Sequence, residues 1–457
     1  MALSRRDLAR LALGSGAAAT LASFGLSPAT AQSAGEYRAL VTIFLYGGND
    51  GWNCLVPMDE RHQAYGELRG PSLAIGKDEL IPLGGGHPYG MHPALAPLKP
   101  VWDAGHLSWV MNVGTLVRPI DRDIFWADPS SRPSNLSSHS DEQAHWQSMR
   151  PGSIHPDGVL GRMADLLPQA TAASPLVSTN GANLALLGRV ASPLILPLFT
   201  TFDRVGWDPQ NMDPAVVARR AAANAFAAGP HPTKIEAATA AGFDRSYAAA
   251  DLVNPILTAA SSVDRHFEED GAFRDSQCSR QLRLIARTIA ARSSLGHGKQ
   301  LFYAGQGDYD THANQVAGGR VLGAHADLLA DLALSLRSFY DAMVQLGLAD
   351  RVTVVTMSDF GRTYRGNSSA GSDHAWGNVH FAIGGALKPR AIHGTYPRQI
   401  LGAGDDSEGE GTFIPTLANE EYIGAAAQWF GVSDMSYVFP NWGTWSANGR
   451  GPVPMFA

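Results

Sequence analysis

Three acidic residues stand just beyond apolar, β-branched runs. Asp50 follows Leu40-Val41-Thr42-Ile43-Phe44-Leu45-Tyr46 through Gly47-Gly48-Asn49. Asp310 follows Leu301-Phe302-Tyr303-Ala304, with His312 two residues on. Asp359 closes the run Val352 to Met357, and a Gly- and Ser-rich loop after it leads to Asp373-His374. Each acid by itself also suits an ordinary capping or turn aspartate. The combination points to more. If the three runs are neighbouring parallel strands, Asp50, Asp310, His312, Asp359 and His374 meet at one sheet edge. That edge is where open α/β sheets bind ligands. Carboxylates and imidazoles in that number suit one or two divalent ions, Zn, Mn or Mg. Two such ions about 4 Å apart would clamp a phosphoryl or sulfuryl oxygen and activate the attacking group.

A second set of polar residues lies between the first and second acids. In SNLSSHSDEQAHW, from Ser134 to Trp146, serines precede Asp141 and Glu142, the mark of a helix start. Ser138 or Ser140 at that terminus would face backbone N–H groups and the positive end of the helix dipole, a setting for an anionic substrate group or for a plain N-cap. His139 and His145 are six residues apart, so they share no helix face and are no paired helical metal motif. His92 either caps a helix or reaches the site, while His87, His106 and His325 read as surface residues. The acidic loop Gly402 to Gly411 reads as a solvated surface loop, with calcium binding as its alternative.

The elements that must position these residues follow from the pattern around them. Runs apolar at every position suit strands buried on both faces of a parallel sheet, here with helices covering both sides as a three-layer α/β/α sandwich. Helices are expected over Ala94 to Ala104, Phe243 to Phe273, Gln281 to Ala291 and Ala418 to Phe430, and a strand over Leu107 to Asn112. Leu328, Leu332, Leu336, Phe339, Met343 and Leu346 mark one long helix by their three- and four-residue spacing. An Ala-rich helical insertion occupies about 210–297 of the α/β domain that spans 38–457.

With 457 residues, 45% of them hydrophobic, the chain can fill a large core. A net charge of −7 without a basic run argues against nucleic acid as a partner. Cys54 and Cys278 form no CxxC and read as two isolated thiols rather than a disulfide framework. No dinucleotide or phosphate-loop signature is present. Residues 1–31 start with Ser4-Arg5-Arg6, continue in a short apolar stretch and end at Ala29-Thr30-Ala31. That is the pattern of a cleaved signal peptide of the twin-arginine kind, which implies periplasmic or secreted protein exported already folded. No other segment is apolar enough to span a bilayer, so an integral membrane protein is not expected.

The stretches LYGGNDGWN, YGMHPALAPL, SSHSDEQAHW, DTHANQ, VTMSDFGRT and SDHAWGNVHF, spread from about residue 40 to the end, carry a resemblance. The layout resembles the alkaline phosphatase superfamily, and more closely a family of exported bacterial proteins of unknown function placed in it. The resemblance implies an alkaline phosphatase-like fold. It implies that Asp50 and Asp359 serve one metal while Asp310, His312 and His374 serve the other. It also implies a nucleophile at Ser138 or Ser140, and Arg362 binding the substrate's anionic oxygens. The chain departs from that pattern at Phe360, where the phosphatases have a histidine ligand, so that either His139 replaces it or only one metal binds. Cys54 lacks the Cys-x-Pro-x-Arg setting of the sulfatase formylglycine. The expectation is an exported metal-dependent hydrolase of phosphate or sulfate esters, acting on a small-molecule or glycan anionic ester. The alternative is a protein on a degenerate hydrolase scaffold that binds an anion, a glycan or a partner without turnover.

Overall fold

Strand β1, Arg38–Leu45, is almost wholly buried, and its side chains alternate between two cores. Ala39, Val41, Ile43 and Leu45 join one apolar cluster, and Leu40 and Phe44 join the other. This period of two is what a strand inside a two-sided sheet must show. The computed structural model describes residues 37–168, 173–202 and 211–457. The signal peptide expected over residues 1–31 lies outside the described residues.

The other strands of the main sheet are β2 Leu107–Gly114, β3 Leu176–Ser178, β4 Leu194–Ile195, β5 Lys299–Gln306, β6 Val352–Ser358, β7 Asn378–Ile383, β8 Ile392–Gly394 and β9 Leu417–Ala418. They form a nine-stranded sheet in the order β8-β2-β7-β6-β1-β5-β3-β4, with β9 also on β2. Only β7 runs antiparallel to its neighbours. In the centre, Leu45 is level with Gln306 on one side and Ser358 on the other. The loops after β1, β5 and β6 therefore leave the sheet at the same height.

Helices α1 Arg61–Leu73, α2 His139–Ser148, α3 Val159–Asp165, α4 Pro214–Ala228, α5 Lys234–Thr258, α6 Gln277–Ala290, α7 Ala324–Gln345 and α8 Asn419–Phe430 complete the architecture. Leu282, Ile285 and Ile289 of α6 and Leu329, Leu332, Leu336 and Phe339 of α7 fill the first core. Leu160 and Met163 of α3 and Tyr422, Ile423, Ala426 and Phe430 of α8 fill the second. The result is the three-layer α/β/α sandwich with a mostly parallel sheet that the strand patterns predict. No helix among the described residues is long and apolar enough to cross a membrane.

Several sequence expectations are corrected. Ala94 to Ala104 is a 3-10 turn, Pro93–Leu98, followed by a short helix, Lys99–Asp103. Pro97 and Pro100 lack the N–H groups that a continuous helix needs. The helix expected over Phe243 to Phe273 instead runs Lys234–Thr258, started by a capping box between Thr233 and Glu236. The strand read at Leu301 to Ala304 extends over Lys299–Gln306, because buried Gln300 and Gln306 find partners: Gln300 accepts from the Tyr37 hydroxyl at 2.6 Å, and the Gln306 amide donates to Asp331 at 3.1 Å. His325 is buried rather than exposed; burial pushes its imidazole down to about 4, and its Nε2 meets Asn49 Oδ1 at 3.0 Å. His106 is half-buried against the Tyr340 hydroxyl at 2.8 Å. Within the acidic loop Asp406 is fully buried, because the backbone N–H groups of Gly402, Glu408, Gly409, Gly411 and Thr412 all donate to it. Cys54 and Cys278 are both free and buried.

Candidate metal centre

The loop after β1 can pass between its two neighbours because it begins with glycines in the left-handed region. A Cβ on Gly47, at φ +110, would stand 2.4 Å from the Asp310 nitrogen, and one on Gly48, at φ +84, would stand 2.6 Å from the Phe360 ring. Past β6 the chain folds back on itself. Arg362 and His374 form an antiparallel bridge, with Thr363 N–H donating to Asp373 O at 2.9 Å and Ala375 N–H to Gly361 O at 2.9 Å. Gly371 then packs so closely on the His312 carbonyl that a Cβ would lie 2.3 Å from it. The third contributor is α2, whose first residue is His139.

Three imidazoles converge here, each anchored through Nδ1. His139 Nδ1 lies 2.7 Å from Asp359 Oδ2, His312 Nδ1 2.8 Å from Asp373 Oδ1, and His374 Nδ1 2.8 Å from the Ser137 carbonyl. Those oxygens only accept, so each Nδ1 carries a proton and each neutral ring presents a lone pair at Nε2. The Nε2 atoms point at one carboxylate. They lie 3.4 Å (His139), 3.1 Å (His312) and 3.2 Å (His374) from the oxygens of Asp310, and the His312 and His374 Nε2 atoms are 2.8 Å apart. While the rings are neutral, acceptors thus face acceptors. Either rings take up protons or a cation sits among them. A tetrahedral ion with ligands at about 2.0–2.1 Å spaces those ligands by about 3.3–3.4 Å, near the three Nε2–Asp310 separations, while the His312–His374 pair is closer. Ligand atoms of His139, Asp310 and His374 all lie within 4.8 Å of one another. A histidine whose second nitrogen is held by a carboxylate or carbonyl is the usual arrangement around a protein-bound metal. The residues present therefore fit a divalent cation.

The electrostatics favour an anionic Asp310 and a neutral His374. Burial acts to raise the Asp310 carboxyl, but Arg362, His312 and His139 outweigh it and hold Asp310 below its usual value. Arg362 Nη2 donates to Asp310 Oδ1 at 2.9 Å. Burial pulls His374 below the usual imidazole range. His139 is raised, first by its hydrogen bond to Asp359. His139, His312 and His374 are half-buried and Asp310 is exposed, so the cage opens to solvent.

The other sequence-derived candidates lie around this cage in different roles from those the resemblance implies. Asp359 is fully buried and accepts from Gly47 N–H at 3.1 Å and Gln143 Nε2 at 2.9 Å as well as from His139, so it orients a ring. Asp50 is buried as an ion pair with Arg69 and accepts from Gln315 Nε2 at 2.5 Å. Arg69 and its fellow donors outweigh burial and keep Asp50 below its usual value. Arg362 is enclosed against Asp310 instead of facing solvent. The Ser138 and Ser140 hydroxyls meet each other at 3.2 Å and Asp141, Ser138 at 2.6 Å, and neither joins the Nε2 cluster. His92 caps the turn at Pro93, its Nδ1 accepting from Ala94 N–H at 3.1 Å. Sequence reasoning missed Asp373 as an anchor and Arg69 and Gln315 as partners of Asp50. For Asp373 its adjacency to His374 was the available signal; for Arg69 there was none.

Comparison with known proteins adds little chemistry. A Bacteroides thetaiotaomicron protein from a locus for the metabolism of multiple glycosaminoglycans, labelled 6S-sulf, overlaps with a TM-score of 0.35 at 12% identity, covering 89% of this chain and 82% of that one. The lipoteichoic acid synthase LtaP from Listeria monocytogenes overlaps with a TM-score of 0.29 at 11% identity, covering 80% and 68%. No curated protein matches. Residues 167–409, more than half of the chain, match a family described as "Protein of unknown function" (DUF1501).

Proposed function

For a chain that belongs to the DUF1501 family, we propose that His139, Asp310 and His374 hold one divalent cation, Zn or Mn, with His312 beside them against Asp310 and His374, in a hydrolase of phosphate or sulfate esters. The observation that carries this reading is the convergence of three Nδ1-anchored imidazoles on a single carboxylate. A cation bound there supplies Lewis acidity, polarising an anionic ester and lowering the pKa of water in an open position. Asp359, Asp373 and the Ser137 carbonyl keep the rings aimed. Arg362 holds Asp310 ionised and at its angle. One ion, not two, suits the donor set, because Arg69 already neutralises the Asp50 carboxylate that a second ion would need. The reading includes export through the segment 1–31, with a small-molecule or glycan ester as substrate.

The test uses the purified chain and generic aryl phosphate and sulfate esters, with and without chelator. The proposal expects bound metal, chelator-sensitive turnover and loss of turnover in Asp310→Asn. Metal without turnover on either ester class would favour the second reading, a cation-dependent binding protein. That reading draws on one observation: the Ser138 and Ser140 hydroxyls are held on Asp141.

A further inference from the structure

We propose that Asp50 is a positioning residue, acting through Gln315 to clamp together the two loops that carry Asp310, His312 and His374. The cation in this proposal rests on the reading above; the clamp itself does not. Asp50 and Gln315 are both buried. A carboxylate only accepts, so Gln315 must turn its Nε2 toward Asp50, and its Oε1 must face the other way. There Oε1 accepts from the Ser372 hydroxyl at 2.5 Å and the Thr311 hydroxyl at 3.2 Å. Thr311 lies between Asp310 and His312, and Ser372 lies two residues before His374. One amide, oriented by one charge, thus ties both ligand-bearing loops. A backbone bond from Ser372 N–H to Thr311 O at 3.2 Å completes the tie.

The partner of Asp50 extends the same clamp. Arg69 Nη1 donates to the Thr363 carbonyl at 3.1 Å and the Tyr364 carbonyl at 3.3 Å. Thr363 in turn holds Asp373, its N–H donating to the Asp373 carbonyl at 2.9 Å and its hydroxyl accepting from Asp373 N–H at 2.9 Å. His374 is therefore fixed from two sides, and both paths start at Asp50. An acid after the first strand is used here for its fixed charge and not for coordination.

The experiment compares the full chain with Gln315→Leu, which keeps the volume and removes the three side-chain bonds of Gln315 while leaving the Asp50–Arg69 pair intact. Hydrogen exchange is followed in metal-free protein over 307–316 and 367–376, and Zn or Mn affinity is measured by calorimetry. Gln315→Leu is expected to exchange faster in both segments and to bind the ion about 10–100-fold more weakly, the usual effect of losing such outer contacts. Thr311→Val is expected to repeat part of the loss and Thr311→Ser to restore it. Leu336→Ala, a core truncation in α7, should lower the melting temperature without either effect. Unchanged exchange in both segments of Gln315→Leu overturns the clamp, as does an equal affinity loss in Leu336→Ala. If the unaltered chain binds no divalent ion but Gln315→Leu still loosens both segments, the metal reading falls and the clamp stands.

Discussion

Each ring of the cage has a separate outer anchor, so substitutions should separate coordination from aim. Asp310→Asn removes the charge on which three Nε2 atoms converge and is expected to abolish cation uptake in calorimetry. Asp359→Asn leaves all the proposed ligands in place but weakens the hold on His139, and its expected effect is about a 10–100-fold loss of affinity. Equal affinity in Asp359→Asn and the unaltered chain would contradict the anchoring role. Protons compete for Nε2, so affinity is expected to rise with pH through the imidazole range around 6.5. His139 should deprotonate at higher pH than His374, because Asp359 raises the first and burial lowers the second. At this scale the sequence was readable in part. Residue type and place marked Asp310, His312 and His374, which the fold brings together, but nothing local distinguishes an acid that faces imidazoles from one that pairs with an arginine. Arg69 sits nineteen positions from Asp50, at a helix end, with no pattern connecting them.

At the scale of elements, the cage depends on loops that touch. Gly47→Ala would place a Cβ against the Asp310 backbone at a φ that L residues avoid, and it is expected to cost about 1–3 kcal/mol of stability while weakening cation binding. A variant as stable and as tightly binding as the unaltered chain would refute that packing. Helix α8 offers a test of burial alone. Its first turn holds Glu420, whose carboxyl is pushed up to about 8, chiefly by burial, with Trp445 Nε1 and Asn441 as its donors. An unfolded glutamate releases its proton near 4.5, so between there and about 8 unfolding releases a proton that the fold retains. Stability should therefore fall as pH rises across that window and level off above it. Glu420→Gln, which mimics the protonated form, is expected to remove that slope in thermal melts. Parallel slopes for the two proteins would contradict the assignment. The strands were legible because burial on both faces leaves an unbroken apolar run. The helix over 94–104 was misread because apolar spacing persists through Pro97 and Pro100, which break the hydrogen bonding. His325 and Asp406 were misread for a different reason: their burial depends on Asn49 and on backbone donors brought in by the fold.

For the whole molecule, the level ends of β1, β5 and β6 turn three distant loops into one rim. The sequence reading anticipated that architecture, since each of the three runs ended in an acid. It did not reach the division of labour at the rim. How each carboxylate at the rim is engaged is fixed by partners such as Arg69, Gln143 and Gln315, and these become neighbours only on folding. A cation that joins loops from three parts of the chain should also stabilise the whole fold. At one hundred times its dissociation constant, a bound ion is expected to add about 2.7 kcal/mol, read as a rise in melting temperature that a chelator reverses. The most direct test is a calorimetric titration of the metal-free chain with Zn or Mn. A stoichiometry of one ion per chain, lost in Asp310→Asn, is the predicted result. No uptake at saturating ion, or undiminished uptake in Asp310→Asn, would contradict it.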